Sequence, residues 1–72
     1  MEKLSERLKT LRNSSPVTQK HLAEILGVTE RSYQRFEAGT SCPSIKTLIA
    51  LADYFNVSLD YLVGRSDNPT LR

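Results

Sequence analysis

Apolar residues recur along this chain at helical spacing almost from end to end. Leu4, Leu8 and Leu11 fall at i, i+4 and i+7, with Glu6, Lys9 and Arg12 among the polar positions around them, which predicts an amphipathic helix ending near Asn13. Ser14-Ser15-Pro16 stops it. Thr18 then reads as an N-cap, its hydroxyl placed to accept from a free N–H of the next turn. The helix it opens carries Leu22, Ala23 and Leu26 on one side and ends at Gly27, where glycine tolerates the left-handed conformation of a C-cap. Thr29 repeats the N-cap signal for a helix running to about Ala38 and closed by Gly39.

Cys42-Pro43-Ser44 reads as a loop with Ser44 as the next N-cap. Ile45, Leu48, Ile49, Leu51, Ala52 and Phe55 wrap most of the way round the following helix, which is therefore expected to be central and the most buried. Asn56-Val57-Ser58 breaks it, and Ser58 caps a last short helix through Leu59, Tyr61 and Leu62 to Val63, with Asp60 favourably placed in its first turn. Leu62 is assigned to the core, whereas Tyr61 fits either core or an association surface. Residues 65–72 show no periodicity and read as a flexible C-terminal tail. No stretch alternates with the period of a strand, so the fold class is all-α: a compact five-helix bundle at residues 1–64, with no interdomain linker and no internal repeat.

Composition narrows the possible functions. Seventy-two residues make one small domain, which buries only about 60% of its unfolded-chain surface. With 39% hydrophobic and 25% charged residues the chain is too apolar for disorder. No run approaches the ~20 apolar residues of a membrane span, and the N-terminus does not read as a signal peptide. The single cysteine, Cys42, cannot form an internal disulfide, so a reducing, cytoplasmic setting is the default. One histidine (His21) and one cysteine without ligand-spaced companions give no metal site. No nucleophile–base set and no phosphate-cradling glycine loop point to an enzyme, and neither a cofactor nor a small-molecule ligand is indicated. The net charge of +2 is compatible with a nucleic-acid partner but does not argue for one, so the distribution of charge has to decide.

That distribution is informative in residues 18–38. Two helices of similar length joined by a three-residue turn anchored on Gly27 have the layout of a helix-turn-helix. Ala23 is small where the helices must approach, Val28 plugs the turn, and Tyr33 and Phe36 anchor the second helix. At about 100° per residue, Arg31 and Arg35 occupy the centre of the opposite face, flanked by Gln34 and Glu30, with Glu37 at the buried edge. Guanidinium forks and an amide one turn apart are the donors that read guanine and adenine edges in the major groove.

At this point the chain resembles the Cro/phage-repressor type of helix-turn-helix, also called the xenobiotic-response-element family. Thr18-Gln19, Leu22-Ala23, Gly27-Val28-Thr29, Phe36-Glu37 with Gly39, Pro43-Ser44, Leu48, Leu51-Ala52 and Val57-Ser58-Leu59-Asp60-Tyr61-Leu62 carry the resemblance over residues 4–64. It implies base-reading roles for Glu30, Arg31 and Arg35, with Gln34 beside them, and phosphate contacts from Thr18, Gln19, Thr29 and Ser32. It further implies a partly buried Arg12–Glu37 ion pair, and a loop at residues 39–44, including Thr40, lying along the DNA backbone. Two positions depart from the family pattern. His21 replaces the glutamate that would complete a capping box, and Glu30 puts an acid where a neutral side chain is common. Glu30 either accepts from cytosine or is held by a cation such as Arg31.

The expected function is a sequence-specific double-stranded DNA-binding transcriptional regulator of repressor type. It would act as a homodimer on a two-fold operator with half-sites roughly 34 Å apart. The competing expectation is a protein-interaction module, antitoxin- or adaptor-like, that keeps the fold without reading DNA. The small net charge and Glu30 favour that alternative, and the Arg31/Arg35 face opposes it.

Overall fold

The computed structural model describes residues 2–70 and contains five helices: α1 (Glu2–Ser14), α2 (Gln19–Leu26), α3 (Glu30–Ala38), α4 (Ile45–Phe55) and α5 (Leu59–Val63). Their boundaries follow from the caps. Thr18, Thr29, Ser44 and Ser58 are extended residues whose side-chain oxygens accept from the backbone N–H three positions on, at His21, Ser32, Thr47 and Tyr61. Each of the same four helices ends on a left-handed residue: Gly27, Gly39, Asn56 and Gly64. At the turn between α2 and α3, the Gly27 N–H donates to Glu24 O and the Val28 N–H to Ala23 O, which satisfies the last carbonyls of α2 and starts α3 three residues later.

The core forms where α1, α2, α3 and α5 converge. Leu4 and Leu8 from α1, Leu22 from α2, Tyr33 from α3, Leu51 from α4 and Leu62 from α5 are fully buried. Val17, Ala23, Phe36, Leu48 and Ala52 complete the cluster, and the Tyr33 and Phe36 rings meet edge-on with centroids 6.2 Å apart.

One expectation from the pattern of the chain needs correcting. α4 is not the most buried helix. Leu48, Leu51 and Ala52 face the core, but Ile45 and Ile49 are 71% and 47% exposed. A wide apolar arc is buried only as far as neighbours exist to cover it, and α4 packs against α2 and α5 along one side. The centre of the bundle belongs to α1 and α3, where Leu4, Leu8, Tyr33 and Phe36 are buried and Leu11 is partly so.

Of the expected tail at residues 65–72, residues 71–72 lie outside the described residues. Residues 65–70 lie against the body of the domain. The Arg7 guanidinium donates to the carbonyls of Tyr61 and Ser66 and to Asp67, and stacks 4.1 Å above the centroid of the Tyr61 ring. The Ser58 N–H donates to Pro69 O at 2.9 Å. Tyr61 is thus half-buried beneath a cation, neither core nor free surface. None of this segment's contacts follows an apolar period, which is why the pattern missed them.

Gly27 and Gly64 give a paired test of this packing. Both are left-handed, at φ +74° and +89°, yet a Cβ at Gly27 meets open space, whereas one at Gly64 collides with Lys3, lying 2.7 Å from its Cγ. Gly27→Ala is expected to cost about 1 kcal/mol, the left-handed penalty alone. Gly64→Ala carries the same penalty plus the displacement of α1 from α5, about 2–3 kcal/mol in all. Urea denaturation of the two variants checks the order.

Candidate nucleic-acid interface

α3 presents two sharply different faces because its nine residues carry only one buried arc. Tyr33, Phe36 and Glu37 are buried, and Glu30, Arg31, Gln34 and Arg35 are exposed on the opposite side. Arg31 and Arg35 are one turn apart, with Gln34 on the side nearer Glu30, so the outward arc runs from the acid through the amide to the two guanidinium groups. Burial of Tyr33 and Phe36 fixes the rotation of α3 and thereby aims this arc outward.

Hydroxyl groups surround the arc at helix N-termini. Thr18 Oγ1 accepts from the His21 N–H at 3.0 Å, and Thr29 Oγ1 accepts from the Ser32 N–H at 3.0 Å while donating to Ser32 Oγ. Ser32 therefore keeps its own hydroxyl proton for an outside acceptor. The Thr40 N–H donates to Arg35 O at 3.1 Å, closing α3 and holding the start of the following loop close to the Arg35 turn. The first turns of α2 and α3 expose further N–H groups and the positive ends of their dipoles, a setting suited to anions.

Behind α3 lies the part-buried ion pair that the family resemblance implies. Arg12 Nε donates to Glu37 Oε2 at 2.6 Å and Arg12 Nη2 to Oε1 at 3.2 Å, a two-point contact tying α1 to α3. Glu37 is 4% exposed, and its Oε1 accepts also from Gln19 Nε2 at 3.2 Å. Burial alone would raise the Glu37 pKa. The hydrogen bond from Arg12, with help from Gln19, outweighs burial and holds it below the usual carboxylate value. The same carboxylate raises the pKa of Arg12 through its hydrogen bond, against the opposing effect of burial.

Gln19 occupies a position that spacing could not reveal. As a candidate phosphate contact it stands at the start of α2, but its side chain also accepts from Gln34 Nε2 at 3.4 Å. Gln34, Gln19, Glu37 and Arg12 thus form one continuous run of hydrogen bonds from the exposed face of α3 to α1. The Tyr33 hydroxyl lies beside this run, buried and without a hydrogen-bond partner among the described residues. Burial first, then the neighbouring Glu37 carboxylate, pushes its pKa far above the ordinary phenol range. The His21 ring lies 3.9 Å from the Glu24 carboxylate on the exposed side of α2. Among the described residues no group of three or more His, Cys, Asp or Glu side chains comes together in a way that would hold a metal ion.

Two stability measurements follow from this geometry. The lowered Glu37 pKa means that folding favours its ionised form, so its contribution is complete above the unfolded value near 4.5 and is lost as pH falls through the folded value. Wild type is expected to exceed Glu37→Gln by about 2 kcal/mol at pH 7, because the Arg12 side chain keeps 22% of its surface in water, and the gap narrows below about pH 4.5. Urea titrations of both proteins from pH 7 to pH 3 measure it. Tyr33→Phe removes a buried hydroxyl that no described side chain satisfies, and raises stability by about 1 kcal/mol in the same assay.

A family model described as Helix-turn-helix matches residues 8–62 of the chain. The uncharacterized HTH-type transcriptional regulator YobD of Bacillus subtilis is 38% identical over 64 residues, an alignment covering 89% of this chain and 57% of YobD. The cryptic phage CTXphi transcriptional repressor RstR of Vibrio cholerae is 35% identical over 63 residues, covering 88% of this chain and 56% of RstR. The chain therefore spans just over half the length of these relatives. Among solved structures, the DNA-binding domain of the P22 c2 repressor superposes with a TM-score of 0.76 at 27% identity, covering 83% of this chain and 79% of that one. The succession of five helices, the Thr29-capped second helix of the motif and the match over most of its length agree: this chain belongs to the helix-turn-helix family of the Cro/phage-repressor type.

Proposed function

We propose that this chain binds double-stranded DNA sequence-specifically as part of a transcriptional repressor, with α3 in the major groove and α2 across the backbone. The observation that carries this reading is the outward arc of α3, where Arg31, Gln34 and Arg35 stand exposed on a helix whose other side is locked into the core. The two guanidinium groups supply paired donors for guanine O6 and N7, and the Gln34 amide supplies the donor–acceptor pair that adenine requires. Glu30, exposed in the first turn of α3, accepts from a cytosine amino group in this pose. Thr18, Gln19, Thr29, Ser32 and Thr40 ring the arc and contact phosphates, with the open N–H groups of the α2 and α3 N-termini beside them. RstR, a repressor by name, and the DNA-binding domain of the P22 c2 repressor support the assignment by similarity.

A domain of this size offers a small contact area, so two copies on a two-fold site, with half-sites roughly 34 Å apart, supply the affinity that one lacks. Selection from a random duplex pool is expected to enrich a two-fold motif. Binding of that motif falls steeply with added salt, through phosphate contacts. Arg31→Ala and Arg35→Ala each lower discrimination at their own base pair by about tenfold or more while leaving the thermal melt unchanged. Failure of the pool to enrich any motif sends the assignment to the protein-interaction alternative.

A further inference from the structure

The run of hydrogen bonds behind α3 has a direction, and one buried group fixes it. A carboxylate can only accept, so Gln19 must turn its NH2 group towards Glu37 Oε1, as the 3.2 Å contact has it. That leaves Gln19 Oε1 facing α3. An amide oxygen also only accepts, so Gln34 turns its own NH2 group towards Gln19, at 3.4 Å. The Gln34 oxygen and its second N–H are then left for the outside of α3, where the side chain is exposed. The order of acceptors and donors along the whole run is thus imposed from its buried end, which Arg12 holds at two points.

We propose that the Arg12–Glu37 pair is a specificity-positioning device, and that Glu37, acting through Gln19, makes Gln34 present an acceptor and a donor together to an adenine edge. The inference rests on the DNA-binding reading given above, and it makes Glu37 and Gln19 positioning residues for the base contact made by Gln34. A purely structural ion pair would affect stability and overall affinity, but not the identity of one preferred base.

Glu37→Gln tests the direction of the run because it is isosteric yet carries a donor. Arg12 Nε lies 2.6 Å from Oε2, so the new amide keeps its oxygen there and turns its NH2 group towards Gln19. Two donors cannot face each other, so Gln19 turns over, and Gln34 follows. Gln34 then offers two N–H groups outward, a pattern suited to the paired acceptors of guanine and unsuited to adenine.

The experiment is selection from a random duplex pool with wild type, followed by affinities for all single-base variants of the winning duplex. Wild type, Gln34→Ala, Glu37→Gln and Gln19→Met are measured, with a thermal melt of each. One adenine in the site is expected to be preferred about tenfold by wild type and by none of the other three, while preferences at the remaining positions persist. In Glu37→Gln the preference at that position moves to guanine. Gln19→Met breaks the run at a half-buried position and leaves both Arg12 contacts to Glu37 in place, so it decides the matter if Glu37→Gln does not fold. Ratios between duplexes are unaffected by any uniform loss of a phosphate contact.

Wild-type base preferences in Glu37→Gln and Gln19→Met, with Gln34→Ala alone altered, would overturn the positioning role while leaving DNA reading intact. Unchanged preferences in Gln34→Ala would overturn it as well. Absence of any enriched motif for wild type would remove both this inference and the proposed function.

Discussion

A carboxylate that is 4% exposed in a domain of 72 residues is a constraint before it is a stabilising contact. Desolvating Glu37 is unfavourable, and the charge is tolerable only because Arg12 meets both its oxygens and Gln19 meets one of them a second time. Those three donors come from α1 and α2, while Glu37 itself belongs to α3. The arrangement is therefore satisfied only when all three helices are in place together. Apolar packing around Leu4, Leu8, Leu22 and Tyr33 brings them into contact but tolerates small rotations. Hydrogen bonds of defined length and direction do not. The pair adds little net stability relative to an apolar filling, and its value lies in fixing the rotation and depth of α3, whose outer face is the candidate interface.

Much of this was legible in the sequence because the information is local. Thr18, Thr29, Ser44 and Ser58 each stand three residues before the N–H they accept, and Gly27 and Gly39 sit where a helix must end, so boundaries can be read without knowing the tertiary fold. The exposed arc of α3 was legible for a similar reason: helical spacing alone separates Tyr33 and Phe36 from Arg31 and Arg35. Arg12 and Glu37, 25 residues apart, were paired by family resemblance rather than by pattern.

What escaped the sequence depends on which neighbours a face meets. Ile45 and Ile49 have the apolar character of core residues, but α2 and α5 cover only the side of α4 that carries Leu48, Leu51 and Ala52. Arg7 carries no mark distinguishing it from a solvated surface charge, yet it collects the carbonyls of Tyr61 and Ser66 because α1 passes beneath the end of α5. Gln19 could be placed at the start of α2, but not next to Gln34, 15 residues away, until the crossing of the two helices was known. Each of these is a contact between elements with no repeating period to announce it.

The same geometry explains why the net charge of +2 says so little about what the chain binds. Arg12 is neutralised by Glu37 inside the fold, and Arg7, midway along α1, faces Asp67 and two carbonyls. Removing these two ion pairs leaves the total unchanged but alters where the remaining charge lies. On the outer face of α3, two guanidinium groups stand against one carboxylate, with hydroxyl groups and helix N-termini around them. A surface built this way attracts a polyanion only modestly at long range, so discrimination has to come from directed donors at short range. Directed donors work only if they are held still, and the interactions that hold α3 still are those of Glu37, Tyr33 and Phe36 on its hidden side. In this chain the chemistry facing outward and the packing facing inward are two consequences of one helical rotation.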